Sequence, residues 1–176
     1  MQKKFYPKNS VNSRKGFTLV EVLIGCAIIS VTVFALMVSA RKTIQLSNRA
    51  LKQAQANTLL EEGVEAVKSI RDNSWSSISS LASNTNYYLY FNTGSNEWTL
   101  SLSTSTPPLS VPTYPIDGTF NRFVVFTPVY RDSNDNISDT GTVDNGTEKV
   151  AVTVSWNGSS GPVSKNLVFY LTNLFN

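Results

Sequence analysis

Apolar and polar positions divide this chain into three stretches of different rhythm. From Phe17 to Ala40 the sequence FTLVEVLIGCAIISVTVFALMVSA is almost unbroken, 24 residues with a single charge at Glu21. A helix rising about 1.5 Å per residue carries such a run across a bilayer core of about 30 Å. From Arg41 to about Asp72 there is no proline, and Ala, Leu, Gln, Glu, Lys and Arg dominate, so the helix is expected to continue. Leu60, Val64, Val67 and Ile70 recur there at spacings of 4, 3 and 3, one apolar stripe, with Lys52, Gln55, Glu62, Glu65 and Lys68 on the polar side. The stripe predicts packing against a sheet. Gly63 inside it costs about 1 kcal/mol relative to Ala, and close approach of a strand is a reason to keep it. Asp72-Asn73-Ser74 then stops the helix, and Trp75 is expected to cap its junction with the head.

Beyond Ser74 the rhythm changes to two. Tyr87–Asn92 and Trp98–Leu102 flank Thr93-Gly94-Ser95-Asn96 and predict a hairpin. Residues 103–118 hold Pro107, Pro108, Pro112 and Pro115, a loop unable to supply a central strand. Phe120–Tyr130 reads as a second strand region. Lys149–Trp156 is the clearest strand, with Val150, Val152, Val154 and Trp156 alternating against polar or small residues. Asn157-Gly158 is expected to open the next turn, and Val163–Thr172 to return with Leu167, Phe169 and Leu171 on one face. The expected architecture is α+β: a long N-terminal helix, its first half membrane-spanning, packed against a C-terminal antiparallel β-sheet. The pattern divides the chain into 1–16 ahead of the apolar run, 17–40 transmembrane half, 41–73 soluble half of the helix and 74–176 β-rich head.

Charge sharpens the division. Lys3, Lys4, Lys8, Arg14 and Lys15 precede the apolar run with no acid among them. Without the first sixteen residues, ten Lys and Arg face twelve Asp and Glu, a net of −2. From residue 74 onward four basic side chains face seven acidic ones, a net of −3, so no basic patch for nucleic acid is expected on the head. Histidine is absent, which removes Ser-His-Asp triads, Cys–His pairs and the usual zinc sites. The one cysteine, Cys26, lies inside the apolar run and reads as a small hydrophobe. No Ser–Lys or paired-carboxylate pattern stands out either, so no enzyme is expected.

Three readings compete for the apolar run. Val38-Ser39-Ala40 resembles a signal-peptidase site, but the run exceeds the usual 7–15 residues and holds a carboxylate near its start. In a plain anchor Glu21 costs about 2.5–3.5 kcal/mol with no return. The third reading gives that carboxylate a partner.

Arg14-Lys15-Gly16-Phe17-Thr18-Leu19-Val20-Glu21 resembles the prepilin processing site of type IV pilins and type II secretion pseudopilins. The resemblance implies that 1–16 is a prepilin leader, and that prepilin peptidase cuts between Gly16 and Phe17 on the cytoplasmic side and methylates the new Phe17 amine. It also implies that Glu21 neutralises the terminal amine of an adjacent subunit during assembly. The physics suits those residue types. Gly16 lets a peptidase approach the scissile bond, and a buried carboxylate is tolerable when paired and costly alone. The stretch Glu61–Asp72 followed by Trp75 is similar to the same junction in minor pilins and minor pseudopilins. Implied partners are other pilin or pseudopilin subunits, prepilin peptidase, an inner-membrane assembly platform and membrane lipid. The implied location is the cytoplasmic membrane with the head outside the cytoplasm, then a filament at the cell surface or in the periplasm.

Two further readings concern the head. Asp132, Asn134, Asn136 and Asp139, followed by Asp144, place oxygen ligands at alternate positions, as calcium requires. Ile137 stands where an EF-hand loop has its turn Gly, and Val143 where it has its bidentate Glu. The competing account is a solvated connection built from turn formers. Otherwise no cofactor is expected. Tyr87, Tyr88, Tyr90, Trp98 and Phe120 raise an alternative function, a membrane-anchored adhesin-like binding module. Three or more exposed aromatics on one face would favour it; burial against the helix favours a scaffold.

Overall fold

A computed structural model describes residues 1–2, 16–107, 109–159 and 161–174. The basic residues Lys3, Lys4, Lys8, Arg14 and Lys15 ahead of the apolar run, and Pro108 of the proline-rich loop, lie outside the described residues. The chain forms two compact units, Met1–Ser47 and Asn48–Asn176. One helix, α1 (Leu19–Asn73), runs through both, followed by a single turn, α2 (Ser76–Ser79). The strands are β1 (Tyr88–Asn92), β2 (Glu97–Ser101), β3 (Ser110–Val111), β4 (Phe120–Arg131), β5 (Ile137–Ser138), β6 (Thr142–Gly158) and β7 (Gly161–Thr172). The architecture is α+β and pilin-like, a long apolar N-terminal helix followed by antiparallel sheet on which its C-terminal part packs.

In the first unit, helix residues from Leu19 to Ser47 are exposed apart from a half-buried Gly25, so nothing among the described residues covers the apolar run. Its hydroxyls turn back on their own backbone. Ser30 Oγ donates to Cys26 O at 2.7 Å and Thr32 Oγ1 to Ile29 O at 2.8 Å, which leaves neither unpaired in an apolar setting.

In the second unit α1 buries Ala56, Leu60, Gly63, Ala66, Val67 and Ile70. The stripe expected from Leu60, Val67 and Ile70 holds. Val64 is only half-buried, and the small residues Ala56 and Gly63 fill the groove-facing positions instead. A Cβ on Gly63 would lie 2.7 Å from Val152 Cγ1 and 3.2 Å from Arg122 Cδ, the close strand approach that the glycine predicted. The inward rows are Val124 and Phe126 of β4, paired with Val152 and Val150 of β6, with Phe120 opposite Trp156. Each such side chain stabilises the fold by about 1.5–3 kcal/mol when fully buried.

Several boundaries differ from expectation. Two sheets form where one was expected, with orders β2-β1-β3 and β5-β4-β6-β7, linked by the Tyr87–Val124 bridge. The 103–118 loop contributes β3, which pairs only at the edge of the small sheet, as its prolines allow. β6 is longer than Lys149–Trp156: Asn157 pairs with Pro162 and Gly158 with Gly161, so the chain reverses after Gly158 and not at Asn157-Gly158. The β4–β6 register breaks after Pro128, whose missing N–H cannot serve a continuous ladder. On β7 only Leu171 is buried. Phe169 is half-buried and Leu167 is exposed, because β7 is the sheet's edge.

Candidate processing and assembly site

The start of α1 is built from four residues. Thr18 precedes the first helical residue, and its Oγ1 accepts the Glu21 backbone N–H at 3.3 Å. Thr18 O accepts the Glu21 and Val22 N–H groups at 3.1 and 3.2 Å. Thr18-Leu19-Val20-Glu21 thus follows the capping-box pattern, a hydroxyl followed three residues later by an acid. Glu21 lies in the first turn, where a negative side chain is favoured by the helix dipole. Gly16 and Phe17 stand ahead of the helix and are exposed, and a Cβ on Gly16 would meet nothing within 4 Å. The Gly16–Phe17 bond is therefore non-helical and open to a peptidase. The capping role of Thr18 is one that the processing signature hides, although its spacing to Glu21 is the signal for it.

The head presents an arrangement that sequence reading missed. Arg122, at an inward position of β4, is fully buried. Its Nη1 donates to Leu59 O at 3.2 Å and lies 3.3 Å from Glu62 Oε2. Its guanidinium carbon sits 5.5 Å from the Trp98 ring centroid, a cation–π contact. Burial pushes the Tyr114 hydroxyl up from its ordinary value, and the nearby Arg122 charge pulls it partly back. The alternation Phe120, Arg122, Val124, Phe126 was the signal that this arginine points inward.

The 132–144 loop spends its carboxylates on itself. Asp132 Oδ1 accepts the N–H of Asn134 at 2.8 Å and of Asn136 at 2.9 Å, and Oδ2 accepts Asn136 Nδ2 at 3.3 Å. Those bonds, the Asn136 backbone first, hold its carboxyl below the usual range. Arg131 Nε donates to Asp144 Oδ2 at 2.6 Å and lies 3.5 Å from Asp135 Oδ1. The Arg131 bond, with help from Thr147 and Gly146, lowers the Asp144 carboxyl. Asp139 is exposed. Among the described residues no three His, Cys, Asp or Glu side chains group closely enough to hold a metal ion.

Glu148 is the contrary case. It pairs with Pro128 and Leu171 in the sheet, and burial pushes its carboxyl up from 4.5. A raised folded value means stability that is full at low pH and is lost as pH rises through that value. Glu148→Gln is therefore expected to melt above the wild type at pH 7, with the gap closing near pH 4; equal melting at both pH values would refute this.

Of the aromatics considered for ligand binding, Tyr87, Tyr90 and Phe120 are buried, and Tyr88 and Trp98 are half-buried. Tyr88 and Tyr90 each pack edge-on against Tyr114. No row of three exposed rings arises from this set. Trp75 is half-buried against the core, and its Nε1 donates to Asn145 O at 3.3 Å, which ties the helix end to β6.

Comparison with protein families matches residues 11–37 to the prokaryotic N-terminal methylation motif. The match covers Arg14 and Lys15, Gly16, Phe17, the Thr18 cap, Glu21 and most of the apolar run. It marks the chain as a type IV pilin-like precursor of the kind processed by prepilin peptidase, a structural class whose members interact with other pilin subunits. No curated protein and no solved structure matches the chain.

Proposed function

We propose that this protein is a minor pilin or minor pseudopilin, a structural subunit of a type IV pilus or type II secretion-like filament. Cleavage falls after Gly16, Phe17 becomes the methylated N-terminus, and Glu21 meets the terminal amine of a neighbouring subunit. The subunit waits in the cytoplasmic membrane with its head outside the cytoplasm, until an assembly platform moves it into the filament. The observation that carries the reading is the methylation motif at 11–37, set on an apolar helix that nothing among the described residues covers.

Mass spectrometry of the protein isolated from its native cells tests it. The expected mass is that of a chain beginning at methylated Phe17, and Gly16→Leu is expected to leave the leader uncut. A mature chain beginning at Arg41 would make the segment a secretory signal; an intact leader would make it a plain anchor.

For the head we infer a scaffold whose 132–144 loop is a self-bonded turn and not a calcium site. The Asn134 and Asn136 N–H groups already occupy Asp132. Titration calorimetry with millimolar calcium is expected to show no binding heat, and a saturable signal lost in Asp132→Ala would reverse that reading.

A further inference from the structure

The apolar run ends at Ala40, and the next two residues are both cations, Arg41 and Lys42. Both are exposed, and among the described residues neither takes part in a hydrogen bond or an ion pair. Their own helix offers no counter-charge. The positions one turn away, Met37, Val38 and Ser39 on one side and Ile44, Gln45 and Leu46 on the other, hold no acid. No Asp or Glu occurs anywhere between Glu21 and Glu61. The next two cations of α1 are placed differently. Arg49 Nη2 donates to Ser159 Oγ at 3.3 Å and Lys52 Nζ to Asn157 O at 3.4 Å, so the head's own β6–β7 turn engages them.

Depth decides what Arg41 and Lys42 meet. The 24 residues from Phe17 to Ala40 extend about 36 Å as a helix, against a hydrocarbon core of about 30 Å. The end of the run therefore already enters the headgroup layer, which adds about 5–7 Å on each side. The two cations emerge among lipid phosphates. Their place is costly for another reason: basic residues close to a span favour the cytoplasmic side, so at the outer end they work against the orientation. An anionic partner at that level offsets the cost.

We propose that Arg41 and Lys42 form a binding site for the phosphate of an anionic phospholipid in the outer leaflet of the cytoplasmic membrane, a site that rests on the spanning orientation given above. A guanidinium takes two phosphate oxygens at once, and an ammonium beside it adds a point charge. A zwitterionic headgroup carries its own cation next to the phosphate and leaves no net charge for the pair to balance. An anionic headgroup does. The contact holds the waiting subunit at one depth and is broken when the helix leaves the bilayer.

The test titrates the full-length chain, in neutral detergent micelles, with phosphatidylglycerol or with phosphatidylcholine and reads bound lipid by native mass spectrometry. The double variant Arg41→Gln, Lys42→Gln is expected to bind phosphatidylglycerol on the order of tenfold more weakly than the wild type, a few-fold for each cation, with phosphatidylcholine binding unchanged. Lys42→Arg, which keeps both charges, is expected to match the wild type. The basic residues ahead of Gly16 are common to every variant, so the readout is the difference between variants. Unchanged phosphatidylglycerol binding in the double variant, or an equal loss for both lipids, overturns the site. Release of the chain from native membranes by alkaline carbonate would instead sink the spanning reading, and the lipid site with it.

Discussion

Glu21→Gln is expected to be cleaved after Gly16 and inserted in the membrane at wild-type levels, yet to enter filaments about a hundredfold less. The variant is chosen because the capping-box position accepts Gln as well as Glu. Thr18 Oγ1 accepts the residue-21 backbone N–H, which the substitution leaves in place. Helix initiation should therefore survive while the charge does not. Losing one partner of a buried ion pair costs about 3–5 kcal/mol, and 1.4 kcal/mol is a factor of ten, so even the lower bound gives about two decades. Thr18→Ala provides the contrast: it removes the cap, worth about 1 kcal/mol, and keeps the carboxylate. The two are separated by quantifying subunit in sheared filaments against subunit in membranes. Wild-type incorporation of Glu21→Gln would show that the carboxylate serves only the helix start.

Gly63→Val is expected to destabilise the head by about 1–2 kcal/mol. A Cβ there would lie 2.7 Å from Val152 Cγ1, inside van der Waals contact, and 3.2 Å from Arg122 Cδ. Neither neighbour yields easily. Val152 is a buried β-branched residue in the middle of β6, and Arg122 is held by Leu59 O, Glu62 and the Trp98 face. Overpacking of this kind costs about 1–3 kcal/mol, while replacing a helical Gly with Ala returns about 1 kcal/mol and with β-branched Val less. Packing therefore decides the sign. The melting temperature of the full-length chain in micelles should drop by about 2–8 °C. Gly25→Ala is the control, because a Cβ there meets nothing within 4 Å. An unchanged or higher melting temperature for Gly63→Val would show that the helix rides farther from β6 than described.

The N-terminal half of the protein was legible because its information is local. A run from Phe17 to Ala40 with one carboxylate, a glycine ahead of an aromatic, and Thr18 three residues before Glu21 are adjacent in sequence and act as neighbours. The same holds for the row Val150, Val152, Val154 and Trp156, all buried as their alternation predicted. Sheet-facing Gly63 was legible for a related reason: a costly residue inside a good helix asks for a packing cause.

What the tertiary structure decided concerns partners far apart in the chain. Arg122 reads as one polar residue in an apolar strand until Leu59, Glu62 and Trp98 gather around it from other elements. The two sheets are joined by one bridge, Tyr87 to Val124, which no local pattern encodes. Leu167 and Leu171 share a face of β7, yet the edge position leaves one exposed and buries the other. Asp132 and Asp144 have the composition of cation ligands, and only their geometry commits them to backbone N–H groups and to Arg131. Sequence fixes a residue's chemistry and its period along an element. Which groups desolvate together, and hence which charges are paired and which edges stay open, is set only when distant elements close on one another.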